Sequence, residues 1–162
     1  MKRWTHWLGL KSPDAKTYVA SAPARDGDLC IQYLGTAGFV ISQDNHYVVL
    51  DPYVTRPALS TSLTQPLVPD AALIQRLIPN ANDVLIGHAH HDHILDGPDL
   101  CKQTGARLIG SSSTMQVGIA AGLPPEQLVS TDGREDIASG AWTVRGFPSR
   151  HGKIFGRIPF PG

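Results

Sequence analysis

Neither sign of charge dominates this sequence. Lysine and arginine together number 14, matched by 14 aspartates and glutamates, so the formal net charge is zero with histidine neutral. A protein that tracks a phosphate backbone or an anionic membrane needs a basic excess, so only a local basic patch is left as a route to such partners. Cysteine is scarce too. Cys30 and Cys101 are the only two, without CxxC spacing, which argues against a disulfide framework or a thiolate metal site and fits free thiols in a reducing compartment. Long apolar runs are missing: nothing approaches the roughly 20 residues that span a bilayer. The basic start MKRWTHWLGLKSPD has its apolar run broken by Thr5 and His6 and closed by Lys11, too short for a secretory leader, so the expected location is cytoplasmic. Repeats and low-complexity tracts are absent as well. What remains, 162 residues with 41% hydrophobic and 17% charged, is an ordinary globular composition for one core.

Residues 1–28 read as an irregular arm rich in Ser, Pro, Ala and Asp, with Trp4 and Trp7 as aromatics folding back on the body. The domain is expected over 29–162. It opens with three β-branched and aromatic runs, LCIQYLG, GFVIS and HYVVLDPY, separated by turn residues such as Gln43-Asp44-Asn45, which predict a three-strand meander. TRPALSTSLTQPLVPD, with three prolines, predicts a long loop. AALIQRLI predicts a helix with Asp70 as N-cap. DVLIG predicts a buried strand that runs into HAHHDH. PDLCKQT predicts a helix with Gly97 at the N-cap, Pro98 first in the helix and Gly105 at the stop. RLIGSS, SSTMQVGIAAG and AWTVRGFPS then read as strand, helix and strand. A meander followed by alternating strands and helices is an α/β pattern with its chemistry at strand ends.

Four of the seven histidines lie between His88 and His93, with Asp92 among them. In an extended segment side chains two apart point the same way, so His88 and His90 can face one cation. Asp92 and His93 follow where the strand gives way to a turn and can face a second. Two such ions, about 3.5–4 Å apart, activate water and steady charge on an attacked carbonyl or phosphoryl oxygen. His91, between the pairs, reads as a non-ligand. A solvated polar loop would not need such a density of imidazole at the exit of an apolar strand.

His88-x-His90-x-Asp92-His93 resembles the HxHxDH signature of the metallo-β-lactamase-fold hydrolases. YLGTAGFVIS and HYVVLDPY resemble that superfamily's opening strands. IGHAHHDHILDGP, TGARLIGSSST and FPSRHGK resemble its lactonase-like and phosphodiesterase-like members. The resemblance runs from about Leu29 to the end. It implies an αββα sandwich, of which this sequence would be the N-terminal half. It also implies two divalent ions, zinc with iron or manganese as alternatives. His88, His90 and His151, the last matching the third histidine of the first metal site, would hold one ion. Asp92 and His93 would help hold the other, with Asp92 catalytic in orienting a metal-bound hydroxide. Asp51, matching the first-motif aspartate, would support the metal loop. The loop after it would bring Tyr53, Thr55 and Arg56 to the cleft, with Arg56 read as an ordinary loop arginine ahead of an anion binder.

The expected activity is therefore hydrolysis of an ester, lactone or phosphodiester in a small-molecule or lipid-like substrate. The alternatives are a nuclease of the same superfamily, which the balanced charge disfavours, and a metal-binding protein without turnover. The family's later ligands, a bridging aspartate and a last histidine, have no match: Asp96, Asp99, Glu126, Asp132, Glu135 and Asp136 all sit in other places. We therefore expect an incomplete fold with an exposed apolar sheet face, poor solubility or self-association, at most one well-held metal and little turnover unless extended.

Overall fold

The structure is a computed structural model, and it describes residue 25 and residues 27–148. A six-stranded sheet runs in strict sequence order: β1 (Cys30–Gly35), β2 (Gly38–Gln43), β3 (His46–Leu50), β4 (Asp83–Leu85), β5 (Arg107–Gly110) and β6 (Leu128–Ser130). The first three form the antiparallel meander, and β3 to β6 are parallel. Asp44 and Asn45, both at positive φ (49° and 61°), make the two-residue turn between β2 and β3, a conformation these side chains tolerate.

The connections carry the helices α1 (Leu59–Thr64), α2 (Ala71–Leu77), α3 (His91–Ile94), α4 (Gly97–Thr104) and α5 (Ser112–Ala120), and a 3₁₀ turn at Pro125–Gln127. Asp70 caps α2 by accepting from the Leu73 amide at 2.9 Å, and Gly105 ends α4 in the left-handed region at φ 76°. The N-cap of α4 is Asp96 rather than Gly97, which is the first helical residue. The expected loop between Thr55 and Asp70 contains α1. Its hydroxyl residues explain the difference: Ser62 and Thr64 donate back to the Ala58 and Ser60 carbonyls at 3.3 and 2.7 Å, supporting a turn of helix that buries no residue.

The core lies on one face of the sheet. Leu34, Val40, Val49, Val84 and Leu108 pack with Ile74 of α2 and with Leu100 and Cys101 of α4. Full burial of such aliphatic side chains stabilises by about 1.5–3 kcal/mol each. Gly118 lets α5 lie close, since a Cβ there would stand 2.6 Å from Leu128 Cδ2 and 2.9 Å from Leu108 Cδ2. Burial, with a smaller contribution from Asp83, pushes the Cys101 thiol up to about 12, so it is inert packing. The opposite face is uneven. Leu29 just before β1 and Ile31 and Tyr33 within it are 57–61% exposed, while Val48 of β3 is buried.

A hairpin of β7 (Ile137–Ser139) and β8 (Trp142–Val144) is fastened near the N-terminal ends of the parallel strands. Its anchor is the fully buried Asp83, which accepts from Arg107 Nε at 2.6 Å and from the Ser139 hydroxyl, while Arg107 also donates to the Ala138 carbonyl. Sequence periodicity gives no sign of β6 or β7, because three residues are too few to show an alternation.

Candidate metal centre

Strand β4 ends at Leu85, earlier than the sequence implies, and His88–His90 lie in bends rather than extended strand. The path is fixed from both sides. Ile86 donates to the Ile109 carbonyl and Asp51 to the Leu85 carbonyl, both at 2.9 Å. Asp51 sits at φ 41°, a left-handed conformation costly for a non-glycine residue. In that conformation its carboxylate reaches across to β4's exit, where Oδ1 accepts from the Gly87 amide at 2.7 Å. A side chain at 87 would meet Asp51, since a Cβ there would stand 3.1 Å from Oδ2. Glycine is thus the residue that permits this approach.

The chain then turns into α3, whose first turn is closed by His93 and Ile94 donating to the His90 carbonyl, both at 3.0 Å. Ile94, 4% exposed, plugs this single turn into the core. The turn swings Asp92 and His93 back over His88. One ligand atom each from His88, Asp92 and His93 lies within 4.8 Å of the others. The His88 ring centroid stands 3.9 Å from that of His93 and 4.4 Å from that of His90. His93 Nε2 is 3.9 Å from Asp92 Oδ2. Donors at such spacing suit a cation bound at about 2.0–2.2 Å from each.

On its other side, His93 Nδ1 is 3.0 Å from Asp51 Oδ2 yet is shielded from solvent and has no hydrogen bond in the direction its N–H would donate. A buried polar atom left undirected is uncommon in a finished structure. Beside a carboxylate it has the place of the outer partner that orients a ligating imidazole, and a small rotation of the ring would complete the pair. The donor set and this arrangement fit a divalent ion.

Asp96 holds the loop beside the cluster in place, a role the sequence does not reveal. It is fully buried, accepts from the Val54 and Thr55 amides at 2.6 and 2.8 Å and from the Thr55 hydroxyl at 2.5 Å, and burial raises its pKa against the pull of those bonds. Thr55 Oγ1 in turn accepts from the Asp70 amide at 2.8 Å. The one available signal is position, three residues past His93 at the start of the next helix.

The residues expected at the cleft are placed as follows. Tyr53 is buried, 9% exposed, with its ring edge-on to His91 at 6.0 Å. Burial, then Asp92 and Asp96, push its phenol up, so it stays protonated. Thr55 is held by Asp96. Arg56 donates to the carbonyls of Tyr53 and Leu34, an internal use of the guanidinium. His151 lies outside the described residues. A cavity of about 500 Å³ opens at the C-terminal ends of the strands, walled by Asp51, His88, Ser111, Thr131, Arg134 and Arg145. Ligands in open α/β sheets bind at such strand ends.

No family model matches the chain. It is 30% identical over 109 residues to a UPF0173 metal-dependent hydrolase of Anaeromyxobacter sp. (strain K), spanning 67% of this chain and 36% of that protein. A UPF0173 metal-dependent hydrolase of Pyrobaculum islandicum is 27% identical over 97 residues, 60% of this chain and 39% of that protein. The chain thus spans little more than a third of the length of these curated relatives. Among solved structures, the metallo hydrolase Igni18 of Ignicoccus hospitalis KIN4/I superposes with a TM-score of 0.55 at 19% identity, covering 80% of this chain and 52% of that one. CmlA, a diiron β-hydroxylase of Streptomyces venezuelae, gives 0.54 at 20% identity, covering 85% and 27%. One of these neighbours is a hydroxylase rather than a hydrolase, so shape alone does not select the reaction.

Proposed function

Because this chain has the metallo-β-lactamase fold and is related in sequence to metal-dependent hydrolases, we propose that it is the metal-binding part of a hydrolase acting on an ester, lactone or phosphodiester. The observation that carries this reading is the convergence of His88, Asp92 and His93 under the Asp51 carboxylate. Imidazole and carboxylate donors without thiolate suit zinc, and also iron or manganese. In this reading His88 would join His90 and His151 at one ion, with Asp92 and His93 at the other; the nearness of its ring to those of His90 and His93 supports both ions lying close together. A divalent ion there would lower the pKa of water towards about 7 and polarise the attacked oxygen.

The chain's own groups divide the remaining work. Asp51, through the Gly87 amide, fixes the path of the loop, and its Oδ2 would orient His93 once the ring turns toward it. Asp92, whose side chain is 42% exposed, is the carboxylate of the cluster most open to solvent and would accept a hydrogen bond from attacking water. Tyr53 keeps its proton beside it. Elemental analysis of protein purified without chelator, combined with assays on lactone, phosphodiester and RNA substrates, tests the proposal. Bound metal in stoichiometric amount and turnover of one small substrate class, lost in Asp92→Asn, are expected. Absence of metal, with His88→Ala plus His90→Ala changing neither metal content nor melting, would overturn it.

A further inference from the structure

Next to the metal cluster, on the helical side of the sheet, an open groove of about 370 Å³ runs between α3, α4 and α5. Its walls include Leu67, Pro69, Ile94, Leu95, Val117 and Ala121, with His91 also lining it. Ala89 and His91, the residues interleaved between His88, His90 and Asp92, both line it, so the backbone that carries the cluster also forms a wall of the groove. The only other ionisable side chain on its described wall is Asp99, which Lys102 engages at 3.4 Å. We propose that this groove holds a linear hydrocarbon arm, an acyl or alkyl chain, of the molecule whose polar bond lies at the metal centre. This deepens the hydrolase reading and rests on it.

Three observations carry the assignment. Apart from His91 and Asp99 the wall is apolar, so a sugar or nucleotide would leave most of its hydroxyls or phosphates without partners there, whereas a hydrocarbon gives up only water. The segment that supplies Leu67 and Pro69 also holds Leu63 and Val68 out to solvent, 75% and 72% exposed, and large aliphatics kept in water beside an apolar groove mark a binding surface. The size fits. Small-molecule sites begin at about 300 Å³. At about 30 Å³ per carbon-sized group, as for liquid water, the groove takes on the order of a dozen carbons.

The test is a titration of the protein with straight-chain alkanoates from butanoate to dodecanoate, read by methyl chemical shifts of Ile94, Leu95 and Val117. Affinity should rise by up to about fourfold per added methylene and level off once the groove is full. Leu67→Glu, on a loop, and Ala121→Phe, at the end of α5, should each weaken decanoate binding at least about tenfold, the equivalent of losing about two methylenes. Both should leave bound metal unchanged, as neither residue belongs to the cluster. Affinity independent of chain length, shifts confined to the β1 face around Ile31 and Tyr33, or wild-type binding by both variants would overturn the proposal. Chain-length-dependent binding without hydrolysis of any ester, lactone or phosphodiester would leave the groove standing and sink the hydrolase reading. Hydrolysis indifferent to chain length, with no alkanoate bound, would do the reverse.

Discussion

The two ends of the parallel strands use the same kinds of side chain to opposite effect. At the N-terminal end, Asp83, Ser139 and His46 meet around Arg107. Asp83 has a donor on each oxygen, His46 Nε2 and the Ser139 hydroxyl are 2.9 Å apart, and both Asp83 and Ser139 are fully buried. Aspartate, histidine and serine in one cluster could pass for a catalytic triad. Yet Ser139 cannot be reached from solvent, and the imidazole presents the same nitrogen to the hydroxyl and, at 3.7 Å, to the carboxylate. It is a clasp for the β7–β8 hairpin. At the C-terminal end, Asp51 is paired but the ligand atoms of His88, Asp92 and His93 converge on one small volume. Residue identity does not separate the two clusters. The convergence of three ligand atoms on one small volume does.

The contrast yields ordered predictions. The largest effect is expected from His88→Ala combined with His93→Ala, which should weaken divalent metal binding by more than about 100-fold, beyond what losing an outer partner costs. The melting temperature in the presence of chelator should change little. A competition titration against a chelating dye measures the first and thermal unfolding the second; an unchanged affinity would erase the distinction between the ends. Asp83→Ala should do the opposite, destabilising the fold by about 3 kcal/mol, the low end for a broken buried pair because Arg107 can still reach water. Its metal affinity should stay at the wild-type value, with denaturant melts supplying the stability figure.

Asp51→Asn comes next. It keeps a carbonyl for the Gly87 amide but removes the charge beside His93, so metal affinity should fall by about 10–100-fold. The smallest effect should be that of Asp96→Asn, about 1–3 kcal/mol for a buried amide or hydroxyl left poorly paired. Its pH dependence is diagnostic. Burial raises the folded-state pKa of Asp96 above its unfolded value, so wild type gains stability from this group as pH falls through the folded pKa towards the unfolded one. The asparagine variant gains none, and the stability gap should widen over that window. A gap that narrows on acidification would show that the bonds from Val54 and Thr55, and not burial, dominate.

Elements whose signal is local were legible in the sequence. The meander declared itself through β-branched runs and the Asp44-Asn45 turn, α2 through its Asp70 cap, and α4 through Pro98 and Gly105. The donor cluster was legible because four imidazoles within six residues need a reason. Features made by distant contacts were not. Asp96 looks like one acid among several until the fold brings Val54 and Thr55 onto it, 42 and 41 positions away. The bend of His88–His90 depends on Ile109 and Asp51 fixing the backbone on either side of Gly87, which no spacing within the motif encodes. Arg56 offered a charge, and only packing shows that two carbonyls use it.

The strand order of the large sheet, identical to the order of synthesis, has a consequence for how the chain folds. Each strand pairs with the one made just before it, so no strand waits for a distant partner and loop-closure costs stay low. On a ribosome adding about 5–20 residues per second, the sheet can extend one strand at a time from β1. Asp51 and the whole cluster emerge before β5, but the Ile86 amide lacks its acceptor until Ile109 arrives. The histidine bend should therefore become ordered only once the chain has passed β5, and nascent chains arrested on either side of Gly110 should differ in metal-dependent protection from protease.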